Sequence, residues 1–150
     1  MAIKSQEKII NLWIVFLLGL LFHTDLGLMP LFHGLGVANS HSQTLAEIDP
    51  ILWLMLGFFV LPMAAIIGTS LMESRRYRWV HFGLTVVYSL LNFSHLVADL
   101  MVQPIIWYQI ALMAILFAIG LLLNLVSFQW IKEWGRKMHL REREILYNSD

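Results

Sequence analysis

The fold is decided by residues 79–102, which read WVHFGLTVVYSLLNFSHLVADLMV. A bilayer core about 30 Å thick requires roughly 20 apolar residues in a helix, and this stretch meets that length. Polar residues recur in it at spacings of 4, 3, 4, 3 and 4, and they are His81, Thr85, Tyr88, Asn92, His95 and Asp99. Such spacing places them on one face of an α-helix. Because polar groups facing lipid cost free energy, this polar stripe is predicted to face the interior of a helix bundle.

Three further apolar stretches of comparable length lie at about 9–29, 51–72 and 105–131. The chain is 59% hydrophobic and 13% charged, whereas soluble domains average about 45–50% apolar and about 25% charged residues. A soluble globular enzyme is therefore excluded. We predict one all-α domain, 1–150, an integral-membrane four-helix bundle with spans at about 9–29, 51–72, 79–102 and 105–131. Residues 132–150 are predicted to be a C-terminal interfacial tail, either a helix lying on the membrane or a solvated segment anchored by tryptophans.

Proline residues mark the predicted helix ends. Asp49 and Pro50 are predicted to be the N-cap and first residue of the second helix, and Gln103 and Pro104 to begin the fourth. Pro30 is predicted to end or kink the first helix. These breaks leave a short turn between helices 2 and 3 and a longer loop between helices 1 and 2.

The basic residues all lie on one side of the predicted membrane. They are Lys4, Lys8, Arg75, Arg76, Arg78, Lys132, Arg136, Lys137, Arg141 and Arg143. The connection between spans 1 and 2 and the turn between spans 3 and 4 contain no basic residue. The positive-inside rule therefore places both termini in the cytoplasm. We predict a multi-pass protein of the lipid bilayer of a bacterial inner membrane or an equivalent membrane.

Net charge and cysteine content exclude several functions. Ten Lys and Arg residues balance ten Asp and Glu residues, so the chain has no basic surplus for binding nucleic acid. The absence of cysteine excludes disulfides, thiolate metal sites, iron–sulfur clusters and the attachment of c-type haem. Imidazoles and carboxylates remain as the ligands for a metal.

Two histidines are predicted to lie at the same depth on different helices. At a rise of about 1.5 Å per residue, His23 and His95 both lie roughly 22 Å from the inner ends of their spans. Asp99 follows His95 by one helical turn, so their side chains are neighbours. Ionisable groups within a span are costly and are functional by default. We therefore predict a metal site at the outer end of the bundle, built around His23, His95 and Asp99.

Two further residues are predicted to belong to this site. The tripeptide Leu-Phe-His occurs at 21–23 and again at 31–33, with Pro30 in between. If the proline turns the chain back toward the bundle, His33 approaches His23 and becomes a further ligand. Asp25 is predicted to orient a ligating imidazole through a hydrogen bond.

The inner part of the polar stripe has structural interpretations. Thr85, Tyr88 and Asn92 are predicted to form interhelical hydrogen bonds. His81 is predicted to be solvated beside the arginines at the inner interface. Packing and solvation therefore explain why these four polar residues are present, and no catalytic or transport role is needed for them.

The donor types suit zinc, iron or copper, and three or four such ligands leave a position for water or substrate. We therefore predict a metal-binding membrane protein and leave catalysis open. The two histidines also fit a b-type haem protein with His23 and His95 as axial ligands, although the outer half contains no Lys or Arg for the haem propionates. The polar stripe also fits a small proton- or cation-translocating unit, and the small size of the chain fits an accessory subunit of a larger membrane complex. A membrane-protein partner or a homo-oligomer would then dock within the bilayer.

Overall fold

Four α-helices make up most of the described chain in the computed structural model, which describes residues 4–36, 44–103 and 105–147. They are α1 (Ser5–Phe32), α2 (Leu45–Leu71), α3 (Arg75–Met101) and α4 (Trp107–Tyr147). Each contains a segment long and apolar enough to cross a membrane, namely Ser5–Phe32, Ala46–Leu71, Arg75–Met101 and Trp107–Gly135. The all-α fold and the four candidate spans are thus confirmed.

The second helix begins one turn earlier than its proline predicts. Its N-cap is Thr44, whose Oγ1 donates a hydrogen bond to Oε1 of Glu47 at 3.0 Å. Pro50 therefore lies inside α2, and the prediction that Asp49 caps this helix is wrong. The Thr-x-x-Glu spacing is that of a capping box, and it marks the helix start better than the proline does. Likewise α4 begins at Trp107, several residues beyond the predicted start at Gln103 and Pro104, the second of which lies outside the described residues.

The first helix continues through Pro30 and ends at Phe32. Gly34 follows with a φ of +73°, a backbone conformation that glycine adopts without a steric penalty. The amide of Leu35 donates to the carbonyl of Pro30, and the amide of Gly34 donates to the carbonyl of Leu31. This pair of bonds is a Schellman motif. The helix end is therefore set by Gly34, and Pro30 is accommodated in the last turn.

The interface between α2 and α3, here called the α2–α3 seam, is less closely packed than the interfaces of neighbouring helices elsewhere in the bundle. Helix α1 packs against α2 and α4, and α3 packs against α4. Helix α2 is tied to α3 by two tyrosines of α3: the hydroxyl of Tyr77 donates to the carbonyl of Ala65 at 2.8 Å, and that of Tyr88 to the carbonyl of Phe58 at 2.7 Å. The helices therefore follow the order α2, α1, α4, α3 around the bundle, with the α2–α3 seam the most open.

The polar stripe of α3 faces the bundle from His81 to Asn92, as its spacing predicts, whereas the side chain of His95 is 57% exposed. The buried residues of this helix are Arg78, His81, Thr85, Tyr88, Ser89 and Asn92. Of the three residues predicted to bond between helices, only Tyr88 does so. The hydroxyl of Thr85 donates to the carbonyl of Phe82 in its own helix, and Asn92 is buried with no hydrogen-bond partner for its amide.

His81 is buried, and the prediction that solvent surrounds it is wrong. Nε1 of Trp13 in α1 donates to its Nε2 at 2.9 Å, and Oγ of Ser127 in α4 lies 3.3 Å from its Nδ1. The rings of Tyr77 and Trp130 pack beside it. His81 therefore joins three helices in the half of the bundle where α1 and α3 begin.

Helix α4 continues without a break past Lys132, where the sequence predicts an interfacial tail. The first residues of that segment belong to the bundle. Oγ of Ser5 donates to Oε1 of Glu133 at 2.6 Å, and the guanidinium of Arg78 lies 5.0 Å from the centre of the Trp134 ring. These contacts join the beginnings of α1 and α3 to the second half of α4.

Candidate metal centre

Three side chains from two helices meet at the other end of the bundle. They are His23 of α1 and His95 and Asp99 of α3, and one ligand atom from each lies within 4.8 Å of the others. Nε2 of His95 is 3.6 Å from Oδ1 of Asp99, and Nε2 of His23 is 3.9 Å from Oδ2. The two imidazole rings lie edge to face with their centres 5.6 Å apart.

The path of the helices explains why these residues meet. Trp13 of α1 contacts His81 of α3, and ten residues further along α1 the ring of His23 contacts that of His95. Helices α1 and α3 therefore run in the same direction, and residues at equal depth face each other across the bundle. Asp99 joins the pair because it lies one turn beyond His95 on the same face.

The distances suit donors arranged around a small ion. They exceed the roughly 2.7–3.2 Å of direct hydrogen bonds. Two donors that each lie about 2.0–2.2 Å from a tetrahedral metal ion are about 3.3–3.6 Å apart. The two histidine–carboxylate distances, 3.6 and 3.9 Å, are within a few tenths of an ångström of that range. On the carboxylate side, closure around an ion therefore needs shifts of only a few tenths of an ångström.

Two of the three side chains are largely buried, whereas that of His95 is 57% exposed. The side chains of His23 and Asp99 are 16% and 21% exposed. Nδ1 of His23 and Oδ2 of Asp99 are both buried without a hydrogen bond. An unpaired buried polar atom costs about 1–3 kcal/mol, and more when it is charged. A cation bound between Nε2 of His23 and Asp99 would remove the cost at the carboxylate but not that at Nδ1 of His23.

The structure does not bring His33 and Asp25 into this group. His33 is the exposed C-cap of α1, because the helix continues past Pro30. Asp25 is also exposed. It follows His23 by two residues, which is about 200° around a helix and places it on the opposite face.

Two cavities meet at the histidines. An apolar cavity of about 410 Å³ is lined by residues of all four helices, among them Phe58, Leu91 and Met113. An outer cavity of about 680 Å³ lies between the ends of α1, α3 and α4 and is lined by Asp99 and several polar side chains. His23 and His95 line both cavities. The cluster is therefore accessible from both cavities.

Several residues of the site carry no clear signal in the sequence. The outer cavity is lined in part by Thr24, Gln103, Tyr108 and Gln109, which lie near helix ends where polar residues are ordinary. Gln109 does lie on the same face of α4 as the buried Met113, so helical spacing could have identified it. Asn92 belongs to the polar stripe, but its lack of a partner is visible only in the structure.

Comparison of the chain with known protein families, curated proteins and solved structures gives no match. A fold of four apolar helices is compatible with many activities. We therefore infer function from the chemistry of the cluster and from the two cavities that adjoin it.

Proposed function

We propose that this integral membrane protein binds a divalent transition metal through Nε2 of His23, Nε2 of His95 and the carboxylate of Asp99. The observation that carries the proposal is the convergence of these three donors within 4.8 Å from two helices. The unpaired buried Oδ2 of Asp99 supports it, because a cation would give the carboxylate a partner. Structural pairing alone would favour a direct hydrogen bond, and the histidine–carboxylate distances are too long for one.

The donor set restricts the metal. Two imidazoles and one carboxylate are found around catalytic zinc and around non-haem ferrous iron, and copper also accepts imidazole. Hard ions such as magnesium and calcium prefer oxygen ligands and are disfavoured. Three protein ligands leave at least one position open on a tetrahedral ion, and the adjoining cavities would supply water or substrate to it. The site therefore has the arrangement of a catalytic metal centre more than that of a closed structural one.

Haem is the weaker candidate for the same two histidines. An iron held between two axial imidazoles requires a flat macrocycle between the rings. Here the carboxylate of Asp99 lies within 4 Å of Nε2 of both histidines, in the space that the iron and its ring would need. A compact ion bound by all three side chains fits this arrangement better.

A continuous proton or cation path along the polar stripe is also a weaker candidate than a local metal site. Inward of the cluster the stripe is packed: Tyr88 bonds to α2, Thr85 bonds to its own helix, and His81 is enclosed by aromatic rings. The apolar cavity extends inward from the cluster only about one helical turn, to Leu20 and Asn92, and the outer cavity lies toward the other end. By the positive-inside rule that end is the outer, non-cytoplasmic one. We therefore assign the cluster to a local site on the outer side of the membrane.

Elemental analysis combined with an absorption spectrum tests the proposal. Protein purified in mild detergent without chelators is expected to contain about one zinc, iron or copper ion per chain and no Soret band. Protein stripped by a chelator is expected to gain melting temperature when that ion is restored, since a ligand that binds only the folded state stabilises it. A Soret band would contradict the proposal in favour of haem. Metal-free protein whose melting temperature no added ion raises would contradict it in favour of an accessory subunit.

A further inference from the structure

The apolar cavity is open to the surroundings of the bundle at membrane depth. Its wall on α2 includes Leu54, which is 74% exposed, and its wall on α3 includes Leu91, which is 47% exposed. Tyr88 ties α3 to Phe58 of α2 one helical turn inward of Leu91, so the opening lies on the outer side of that tie. In a spanning helix these exposed apolar surfaces face lipid. A hydrophobic molecule can therefore reach the cavity sideways from the bilayer.

Asn92 is an unusual residue in this cavity. It lines the apolar wall and is only 2% exposed, yet neither its Nδ2 nor its Oδ1 has a hydrogen-bond partner. Buried side-chain amides are normally hydrogen-bonded, because an amide that loses water and gains no partner destabilises the fold. The amide is three residues before His95 on the same face of α3. It is therefore placed to bond a polar group of a ligand that reaches the metal cluster.

The outer cavity is more polar, although apolar side chains such as Leu28 and Ile106 also line it. It begins at His23, His95 and Asp99 and continues past Gln103 and Gln109 toward the helix ends. The two cavities together form a path that is apolar at the lipid side and of mixed polarity at the outer side, with the candidate metal ligands between them. A molecule that fills both needs an apolar chain, a polar headgroup and a polar group where the two join.

We propose that the site binds a membrane-dissolved amphiphile of the acyl-lipid class, with one acyl chain in the apolar cavity and the headgroup in the outer cavity. The carbonyl at the junction accepts a hydrogen bond from Nδ2 of Asn92 and lies beside His23 and His95. A volume of about 410 Å³ is at the lower end of the roughly 300–1,000 Å³ of small-molecule pockets, which favours one chain over two. The inference rests on the proposed metal site and names its substrate class.

Photo-crosslinking tests this assignment. The probe is a lysophosphatidylcholine with a diazirine near the end of its acyl chain, added to the metal-loaded protein in lipid nanodiscs. Peptide mapping is expected to place the crosslink on residues that line the apolar cavity, Phe58, Leu91 or Met113. Leu91→Trp fills the cavity and is expected to reduce this labelling at least about tenfold, as a side chain without room excludes the ligand. Leu90→Trp is the matched control, because Leu90 is the preceding residue, is 63% exposed and does not line the cavity. Labelling of this variant is expected to match that of the unmodified protein.

Asn92→Leu tests the polar contact. It removes no hydrogen bond of the protein itself, so the melting temperature is expected to stay the same or to rise. Retention of the probe is expected to fall about 5- to 10-fold, the effect of one lost hydrogen bond of about 1–1.4 kcal/mol. A fall in melting temperature with unchanged probe retention would overturn the role given to Asn92.

Metal content, measured on the same samples, separates the two proposals. Leu91→Trp and Asn92→Leu are expected to retain the metal, because neither residue is a ligand. If the metal is bound but labelling is spread evenly over lipid-facing residues, or is equally reduced by Leu90→Trp, the substrate class is wrong and the metal site stands. If labelling maps to the cavity in protein that binds no metal, the metal proposal fails and the lipid site stands. Crosslinks between two copies of the chain at Phe58 or Leu91 would show that a second copy occupies the cavity and would overturn the inference.

Discussion

Oδ2 of Asp99 lies 3.9 Å from Nε2 of His23, across the bundle on a different helix. This carboxylate oxygen and the other ring nitrogen of His23 are both buried without a hydrogen bond. The pair is therefore close enough to share an ion and too far apart to satisfy each other directly. An ordinary polar contact between two helices would bring these groups into a direct hydrogen bond, so their separation favours a binding site.

The two histidines of the cluster are expected to control metal content, and an exposed histidine outside the cluster is not. His23→Ala and His95→Ala each remove one of three ligands, so elemental analysis is expected to find the metal lost or its occupancy strongly reduced. His33→Ala is the control, since His33 is the exposed C-cap of α1, and it is expected to retain full occupancy. An equal loss in all three variants would indicate adventitious binding to histidine.

The two aspartates near this end are expected to differ. Asp99→Asn replaces a charged ligand by a neutral amide, and metal affinity is expected to fall by more than the roughly 10–100-fold typical of residues that only support a ligand. Asp25→Asn is expected to leave the affinity unchanged, because Asp25 is exposed on the opposite face of α1. Competition titrations with a chelator of known affinity provide the measurement. A marked fall in affinity in Asp25→Asn would instead support the predicted role of Asp25 in orienting a ligating imidazole.

The hydrogen bond between Trp13 and His81 is expected to support the fold and not the metal. Trp13→Phe removes the donor to Nε2 of His81 at a buried position, and the free energy of unfolding is expected to fall by about 1–3 kcal/mol. Thermal melts followed by circular dichroism measure this change, with Trp53→Phe as an exposed control. Metal content is expected to be unchanged, since His81 lies about 21 Å along α3 from His95. Loss of the metal would indicate coupling between the two ends.

Two glycines of α2 are expected to respond oppositely to alanine. A Cβ at Gly68 would collide with the hydroxyl and ring of Tyr77, and that hydroxyl bonds to Ala65 and ties α2 to α3. Gly68→Ala is therefore expected to lower the melting temperature. A Cβ at Gly57 meets nothing within 4 Å, so Gly57→Ala is expected to raise stability by about 0.5–1 kcal/mol through helix propensity. Equal effects of the two variants would contradict the close packing at Tyr77.

The orientation is tested by single cysteines in a chain that has none of its own. A cysteine at Ala46, before the apolar part of α2, is expected to react with a membrane-impermeant thiol reagent added from outside intact cells. A cysteine at Glu73, in the turn between α2 and α3, is expected to react only after the membrane is permeabilised. The reverse pattern would move the metal cluster to the cytoplasmic side.

Local features of the chain are predictable where one helix alone determines them. The polar stripe of α3 faces the bundle because a spacing of three and four residues places side chains on one face of any α-helix. The helix ends are harder to predict, since several signals compete. Pro30 and Pro50 predict breaks that do not occur, while the capping residues Thr44 and Gly34 mark where α2 begins and α1 ends.

The roles of individual polar residues depend on their neighbours. His81 and Asn92 belong to the same stripe, and nothing in their spacing distinguishes them. The structure gives His81 a bond to Trp13 and leaves Asn92 unpaired beside a cavity. The partners of His81 come from α1 and α4, whereas Asn92 has none. This difference depends on how closely the facing helices approach α3 at each residue.

The sequence by itself determined that the chain forms four apolar helices and that His23 and His95 lie at equal depth, because span length and rise per residue are properties of a single helix. Only the tertiary structure decided that Asp99 of α3 comes close to His23 of α1, because that distance depends on how the two helices pack. Asp25 and Asp99 are both near the right depth, but helical phase turns Asp25 away and places Asp99 between the two rings. The cavity beside them likewise results from the open seam between α2 and α3. Such a gap is a property of packing among helices, and no single stretch of the chain encodes it.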